Sequence, residues 1–283
     1  MKNTLLFLIL FTANTLFAAE LFTINSSNTI VATKDSANTI GLLLNQKIHN
    51  EILKNEFNTF SINLPFINGL LNIKLEKFSC VSESFKCVST TKKGDVELDI
   101  FPTILSYKII FNSDEIGVLN FVNGEINTTF RINRKQYEIS QFKGQYILFE
   151  ATNSINSSNF SCEVQEQSNI LQQRPESITS STPFCVDLAI EIDEYTRNTF
   201  NSDQETLDWA LAIIAGVSQL YANQTNAEIQ VSFSHIWNIT DPYDNHGSCS
   251  DILTELGNHC QANHTTVPRT LFHFMSKRGL GCG

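Results

Sequence analysis

The sequence predicts an α+β chain: an antiparallel β-rich region followed by the incomplete opening of an α/β region. Three observations carry this. From about residue 56 to 150, short runs alternate apolar and polar residues between tight-turn signals. Residues 152–183 are dominated by Asn, Ser, Gln and Thr, with Pro175 and Pro183 as breakers. After Cys185 the order becomes strand, long helix, strand, short helix, strand.

In the β-rich region, Phe60, Ile62 and Leu64 alternate with polar residues and are followed by Asn68-Gly69, two residues that tolerate positive φ. Leu71, Ile73 and Leu75 continue the pattern, as do Val96, Leu98 and Ile100, then Tyr107, Ile109 and Phe111. A second hairpin signal, Asn123-Gly124, separates Leu119–Phe121 from Ile126–Ile132, and Tyr146–Phe149 is a short apolar run. Many short strands of this kind predict a sandwich or barrel-like region. Upstream, Leu42–Leu44, Ile48, Ile52 and Leu53 are placed on a helix.

In the second region Val186, Leu188, Ile190 and Ile192 form a strand. Ser202 and Glu205 make a capping box for a helix that buries Leu207, Leu211, Ile214, Val217 and Tyr221. Ile229, Val231 and Phe233 lead a second strand to Trp237; Asp241-Pro242 turns the chain, Asp251–Leu256 is a short helix and Thr270–Met275 a third strand. Three strands make a thin core for a domain standing alone.

The N-terminus predicts export. Lys2, the apolar run Leu5–Phe11 and the small-residue exit at Phe17, Ala18, Ala19 and Glu20 have the order of a signal peptide. Thr12, Asn14 and Thr15 interrupt the run well short of the roughly 20 apolar residues of a membrane span. A net charge of −10, without any Lys/Arg cluster, argues against nucleic acid as a partner.

Export bears on the 7 cysteines, most of which should pair in an oxidising compartment. Cys80 with Cys87 and Cys249 with Cys260 are candidate small-loop disulfides, and the odd total leaves one thiol over. His235, His246, His259, His264 and His273 raise the question of a metal site, and Cys249, Cys260 and His264 offer zinc-type donors. Their spacing fits no common zinc module. His235 and His273 lie in strand-like runs, where packed histidines are the commoner case, so no metal ligand is assigned.

Cys185-Val-Asp-Leu-Ala-Ile-Glu-Ile-Asp-Glu-Tyr, the helix through Ile213, Ile229–Trp237, Asp241-Pro-Tyr and Leu271-Phe-His-Phe-Met-Ser-Lys-Arg-Gly-Leu-Gly-Cys-Gly, in that order, resemble the N-terminal half of a reprolysin-like (adamalysin-type) metzincin zinc endopeptidase. The stretch Phe60–Glu150 resembles the prosegment of such enzymes. The resemblance implies a signal peptide over 1–19, a β-rich prosegment-like domain over 20–151, a polar linker over 152–183 and a truncated metzincin-like α/β metallopeptidase domain over 184–283. It implies zinc as cofactor, protein or peptide substrates, and Leu280, Gly281, Cys282 and Gly283 as the cleft edge. Cys162 is either a latency thiol or the disulfide partner of Cys185, and Cys282 pairs beyond Gly283. Asp187, Glu191 and Asp193 are candidates for a structural calcium site. The family's HExxHxxGxxH motif is absent, so the zinc ligands are expected outside this chain. The expectation is a secreted metalloendopeptidase precursor fragment with no activity of its own. The alternatives are a secreted non-enzymatic β-rich binding module or a prosegment-type inhibitor.

Overall fold

In the computed structural model, residues 18–25, 39–67, 69–110, 117–151, 184–244 and 248–279 are described. Alternating apolar residues build a nine-stranded sheet from β1 (Phe22–Ile24), β2 (Ile40–Leu44), β3 (Thr59–Phe66), β4 (Gly69–Phe78), β7 (Leu105–Ile110), β8 (Gly117–Val122), β9 (Glu125–Ile132), β10 (Lys135–Phe142) and β11 (Gln145–Glu150). The order is β1-β2-β11-β10-β9-β8-β7-β4-β3, with antiparallel neighbours throughout. The two ends nearly meet. Ala19, just before β1, bridges Ile62 of β3, donating its N–H to Ser61 O at 2.9 Å and accepting from Asn63 N at 3.0 Å. Curling the sheet into this barrel-like form removes most of its free edge. Its interior holds Ile62, Leu75, Tyr107, Leu119, Ile126 and Leu148.

Three hairpins of this sheet turn on residue pairs with positive φ: Asn123-Gly124 at 52° and 79°, Asn133-Arg134 at 51° and 64°, and Lys143-Gly144 at 50° and 79°. Such turns match the twist of the strands they join. The helix expected across Leu42–Leu53 is split. Leu42–Leu44 lie in β2, and α1 (Gln46–Asn55) starts only after Asn45, whose side chain accepts from Ile48 N at 3.3 Å.

A second sheet has the order β14-β12-β13-β5-β6, made from β5 (Val81–Thr91), β6 (Gly94–Leu98), β12 (Phe184–Ile192), β13 (Ala227–Trp237) and β14 (Leu271–Met275). Strands β14, β12, β13 and β5 run parallel, and β6 closes as a hairpin on β5. The expectation of a β-rich prosegment followed by a separate metzincin-like α/β domain is therefore overturned. The barrel-like sheet dominates, and β5 and β6 from the first region complete the sheet of the second. The cause lies in β13: Val231–Trp237 are buried on both faces, so this strand needs a neighbour on each edge. With β12 on one side, β5 takes the other.

Helix α2 (Glu194–Arg197) follows β12, and α3 (Asp203–Thr225) packs between the second sheet and the outer surface of the barrel. Ser202 caps α3 by accepting from Glu205 N at 3.1 Å, while the Glu205 carboxylate accepts from Asn201 N at 3.0 Å. Leu207, Leu211, Ile214 and Ala215 pack with Ile190, Ile192, Val231 and Val118. Asn120 Nδ2 donates to Ala212 O at 3.0 Å. Buried Asp208 accepts from Thr103 N at 2.9 Å and from Thr103 Oγ1 at 2.5 Å, joining α3 to the segment before β7. Asp208→Ala strands these donors, and it is expected to lower unfolding free energy by about 2–3 kcal/mol in urea titrations. The opposite face of the sheet is covered by α4 (Cys249–Asn263), which runs longer than the sequence predicts at both ends. Among the described residues, no helix is long and apolar enough to cross a membrane.

Candidate metal centre

Period-two alternation on β12 and β13 sorts their side chains. Ile190, Ile192 and Ile236 face α3. Glu191, His235 and Trp237 face α4, in a layer with Tyr243, Ile252, Leu256 and Cys260. The parallel ladder sets Glu191 beside His235. Helix α4 adds His259, and His264 follows at its C-terminal cap. One potential ligand atom from each of Glu191, His235, His259 and His264 lies within 4.8 Å of every other. Glu191, His235 and His264 are buried, and the His259 side chain is 14% exposed.

Glu191 Oε1 accepts from Trp237 Nε1 at 2.7 Å and Tyr243 OH at 2.5 Å, and stands 3.4 Å from His235 Nδ1 and 3.7 Å from His259 Nε2. Glu191 Oε2, His235 Nδ1, His259 Nε2 and His264 Nε2 are all buried without a hydrogen-bond partner. An unpartnered buried polar atom is costly, and three such imidazole nitrogens gathered around one carboxylate call for a common partner.

Protonation follows from the surrounding groups. Thr90 Oγ1 donates to Asp95 Oδ1 at 2.5 Å, so at 2.6 Å from His235 Nε2 it accepts the ring proton. That keeps the proton on Nε2, so Nδ1, which faces Glu191 Oε1, is the nitrogen that would give a metal its lone pair, releasing any proton it shares with that carboxylate. Asn263 Nδ2 lies 3.0 Å from His259 Nδ1 and donates to it, leaving the His259 proton on Nε2, where an arriving metal would displace it. Burial, with the His235 charge next, pulls His264 down to about 4, so its ring is neutral and ligand-ready. Burial alone would raise the Glu191 pKa; hydrogen bonding and charge from His235, with the Tyr243 and Trp237 bonds, outweigh it and hold the group below the usual carboxylate value. Burial, then the Glu191 charge, pushes the Tyr243 phenol far up, keeping it a donor.

One carboxylate and three imidazoles form a borderline-soft donor set that suits zinc and its first-row neighbours. A tetrahedral ion with bonds of about 2.0–2.1 Å holds its donors roughly 3.3 Å apart, so no pair here would need to close by more than about 1.5 Å on binding.

Several sequence expectations change. Of the set Cys249, Cys260 and His264, only His264 reaches the cluster. Cys260 is a free buried thiol, pushed up to about 12 by burial and then by the Glu191 charge. The Cys249–Cys260 disulfide is excluded because the two residues lie about 16 Å apart along α4, at 1.5 Å per residue. Cys249 is disulfide-bonded, but not to Cys260. Cys80 and Cys87 are also free thiols, and burial pushes both up to about 12. Cys185 is a free, exposed thiol, so the Cys162–Cys185 pairing is not formed. Cys162, His246 and the cleft-edge residues Leu280, Gly281, Cys282 and Gly283 lie outside the described residues.

The calcium grouping of Asp187, Glu191 and Asp193 does not converge. Glu191 joins the histidines. Asp193 caps α2 through Thr196 N at 2.9 Å and takes Ser276 Oγ at 2.6 Å and Arg278 Nε at 2.8 Å. Glu191, His235, His259 and His264, weighed in the sequence but assigned to no common metal site, are brought together here. The available signal was Glu191 itself, a charged residue within the apolar run Leu188–Ile192.

No family model matches the chain, and no curated protein matches it. Among solved structures it is similar to metalloproteinase-II from Bacteroides fragilis, at a TM-score of 0.40 and 7% identity, over 77% of this chain and 64% of that one. The chain thus spans less than two thirds of that structure's chain. A likeness this distant decides neither fold nor function, and the ligand chemistry stands on the four unpartnered atoms.

Proposed function

We propose that the chain binds one divalent transition-metal ion, zinc foremost, through Glu191 Oε2, His235 Nδ1, His259 Nε2 and His264 Nε2. The convergence of these four residues, with an unpartnered nitrogen on each ring and an unpartnered oxygen on Glu191, carries the reading. Four protein ligands fill a tetrahedral shell and leave no position for a substrate, so the centre is structural. It fastens α4 and its C-terminal turn onto β12 and β13.

The wider setting we read for it is an exported, metallopeptidase-related precursor acting on protein or peptide substrates through a catalytic motif this sequence lacks. Its support is the order of the resembling segments and the export-type N-terminus. In that setting this portion is non-catalytic.

Equilibrium dialysis of the full chain against zinc, followed by elemental analysis, is expected to give one zinc per chain. The double substitution His235→Ala and His264→Ala is expected to give none. Zinc uptake unchanged by that substitution would remove the centre from the account. Chelator-sensitive peptide cleavage by the purified wild-type chain would overturn the non-catalytic assignment.

A further inference from the structure

The centre is built by the second sheet and α4, yet one of its ligands is oriented from elsewhere. His235 Nε2 donates to Thr90 of β5 at 2.6 Å, and Thr90 in turn donates at 2.5 Å to Asp95 of β6. Both belong to the hairpin that the first region lends to the edge of β13, where Thr90 pairs with Trp237 and Asp95 with Thr90. The same edge holds Asn238, whose N–H donates to Thr90 O at 3.0 Å and whose side chain donates to Ser89 Oγ at 2.6 Å. The line carboxylate, hydroxyl, imidazole leaves Nδ1 as the ring nitrogen that faces the other three ligands. A metal-binding histidine commonly hands its second N–H to an outer partner that fixes tautomer and ring orientation.

We infer that Thr90 and Asp95 are positioning residues for the metal centre, so that metal occupancy and docking of the β5–β6 hairpin on β13 stabilise each other. This rests on the metal reading above. When the hairpin is docked, His235 is held with Nδ1 aimed inward and binds metal more tightly. When metal is bound, the His235 ring is fixed and offers Thr90 a rigid donor, so the hairpin detaches less often. Coupling of this kind is reciprocal: the factor by which docking raises metal affinity is the factor by which metal favours docking. Outer-shell changes at metal-bound histidines cost about 10–100-fold in affinity, and that range sets the expected coupling.

The ion would thus join two regions far apart in the sequence. Removing it would loosen the hairpin without unfolding the barrel-like sheet, whose nine strands share no ladder with β5 or β6. A metal-starved environment would then expose the β13 edge, which offers unpaired backbone groups to another strand.

The test uses the full-length chain and zinc alone as probe. Zinc affinity is measured by competition with a chromophoric chelator for wild type, Thr90→Val, Thr90→Ser and Asp95→Asn. Hydrogen exchange of the β5 and β6 amides is followed with zinc and with chelator. The expected result is one zinc per chain in all four proteins, affinity 10–100-fold lower in Thr90→Val, a smaller loss in Asp95→Asn, and recovery in Thr90→Ser, which keeps the hydroxyl. Exchange at β6 should be about 10–100-fold slower with zinc in wild type, and this difference should shrink in Thr90→Val. Asp95 is exposed, so its variant reports even if Thr90→Val folds poorly. Zinc bound equally tightly by wild type and Asp95→Asn, with β6 exchange indifferent to zinc, would overturn the inference and leave the metal reading intact. Absence of zinc binding in wild type would overturn both.

Discussion

Saturating zinc should raise the melting temperature of the chain by about 10 °C over chelator-treated protein. Ligand at a thousandfold excess over its dissociation constant adds about 4 kcal/mol to stability, and each kcal/mol moves the midpoint of a chain this size by about 2–4 °C. The structural source is specific. Without metal, Glu191 Oε2 and three imidazole nitrogens stay buried and unpartnered. With metal, each makes a bond and α4 is fixed across β12 and β13. Differential scanning calorimetry with zinc, magnesium or chelator checks this. Magnesium, which prefers six oxygen donors, should leave the midpoint near the chelator value. The His235→Ala and His264→Ala double variant should show no zinc shift.

The second large effect concerns Glu191, whose two oxygens carry separate roles. Oε1 holds Trp237 and Tyr243 and stands beside His235 and His259, while Oε2, the unpartnered oxygen, is the proposed ligand. In Glu191→Gln the amide oxygen keeps both donors satisfied, and an NH2 group without a lone pair replaces the ligand oxygen. Metal-free stability should fall by no more than about 1–2 kcal/mol. Zinc affinity should fall by more than about 100-fold, since even outer-shell changes cost up to that much. Glu191→Ala loses both roles and should also lower metal-free stability by about 3–5 kcal/mol, because it leaves two buried donors and a cavity. Urea unfolding in chelator, paired with zinc competition, separates the two variants. If Glu191→Gln bound zinc as wild type does, Glu191 would be a structural acceptor and not a ligand.

Much of the barrel-like sheet could be read from single residues. Asn123-Gly124 marks a hairpin because both residues accept positive φ, and Ile62, Ile73 and Leu75 alternate as a half-buried strand must. The turns at Asn133-Arg134 and at Lys143-Gly144 gave a weaker signal, since Arg and Lys rarely supply positive φ. The course of β12, α3, β13 and β14 followed from strand and helix periodicity and the Ser202 cap.

The joining of the two regions was hidden. Strand β5, Val-Ser-Glu-Ser-Phe-Lys-Cys-Val-Ser-Thr-Thr, is too polar to read as a partner for a strand buried on both faces. Only the unfilled edge of β13 calls for it. The metal centre was hidden for a related reason. Glu191 and His235 meet through the register of a parallel ladder, which no local pattern reveals. His259 and His264 are five residues apart, a spacing that does not share a helix face. They converge because α4 ends at Asn263 and His264 turns back at φ −123°.

The measurement that tests the central claim most directly is zinc K-edge X-ray absorption on the zinc-loaded full-length chain. The account predicts a four-coordinate ion with only nitrogen and oxygen neighbours at about 2.0–2.1 Å and the outer-shell scattering of three imidazoles. In Glu191→Gln the oxygen contribution should be lost or replaced by solvent. A sulfur shell near about 2.3 Å would place the ion on cysteine thiolates, and a water-rich six-coordinate shell would place it on the surface. Either spectrum would contradict a metal centre at Glu191, His235, His259 and His264.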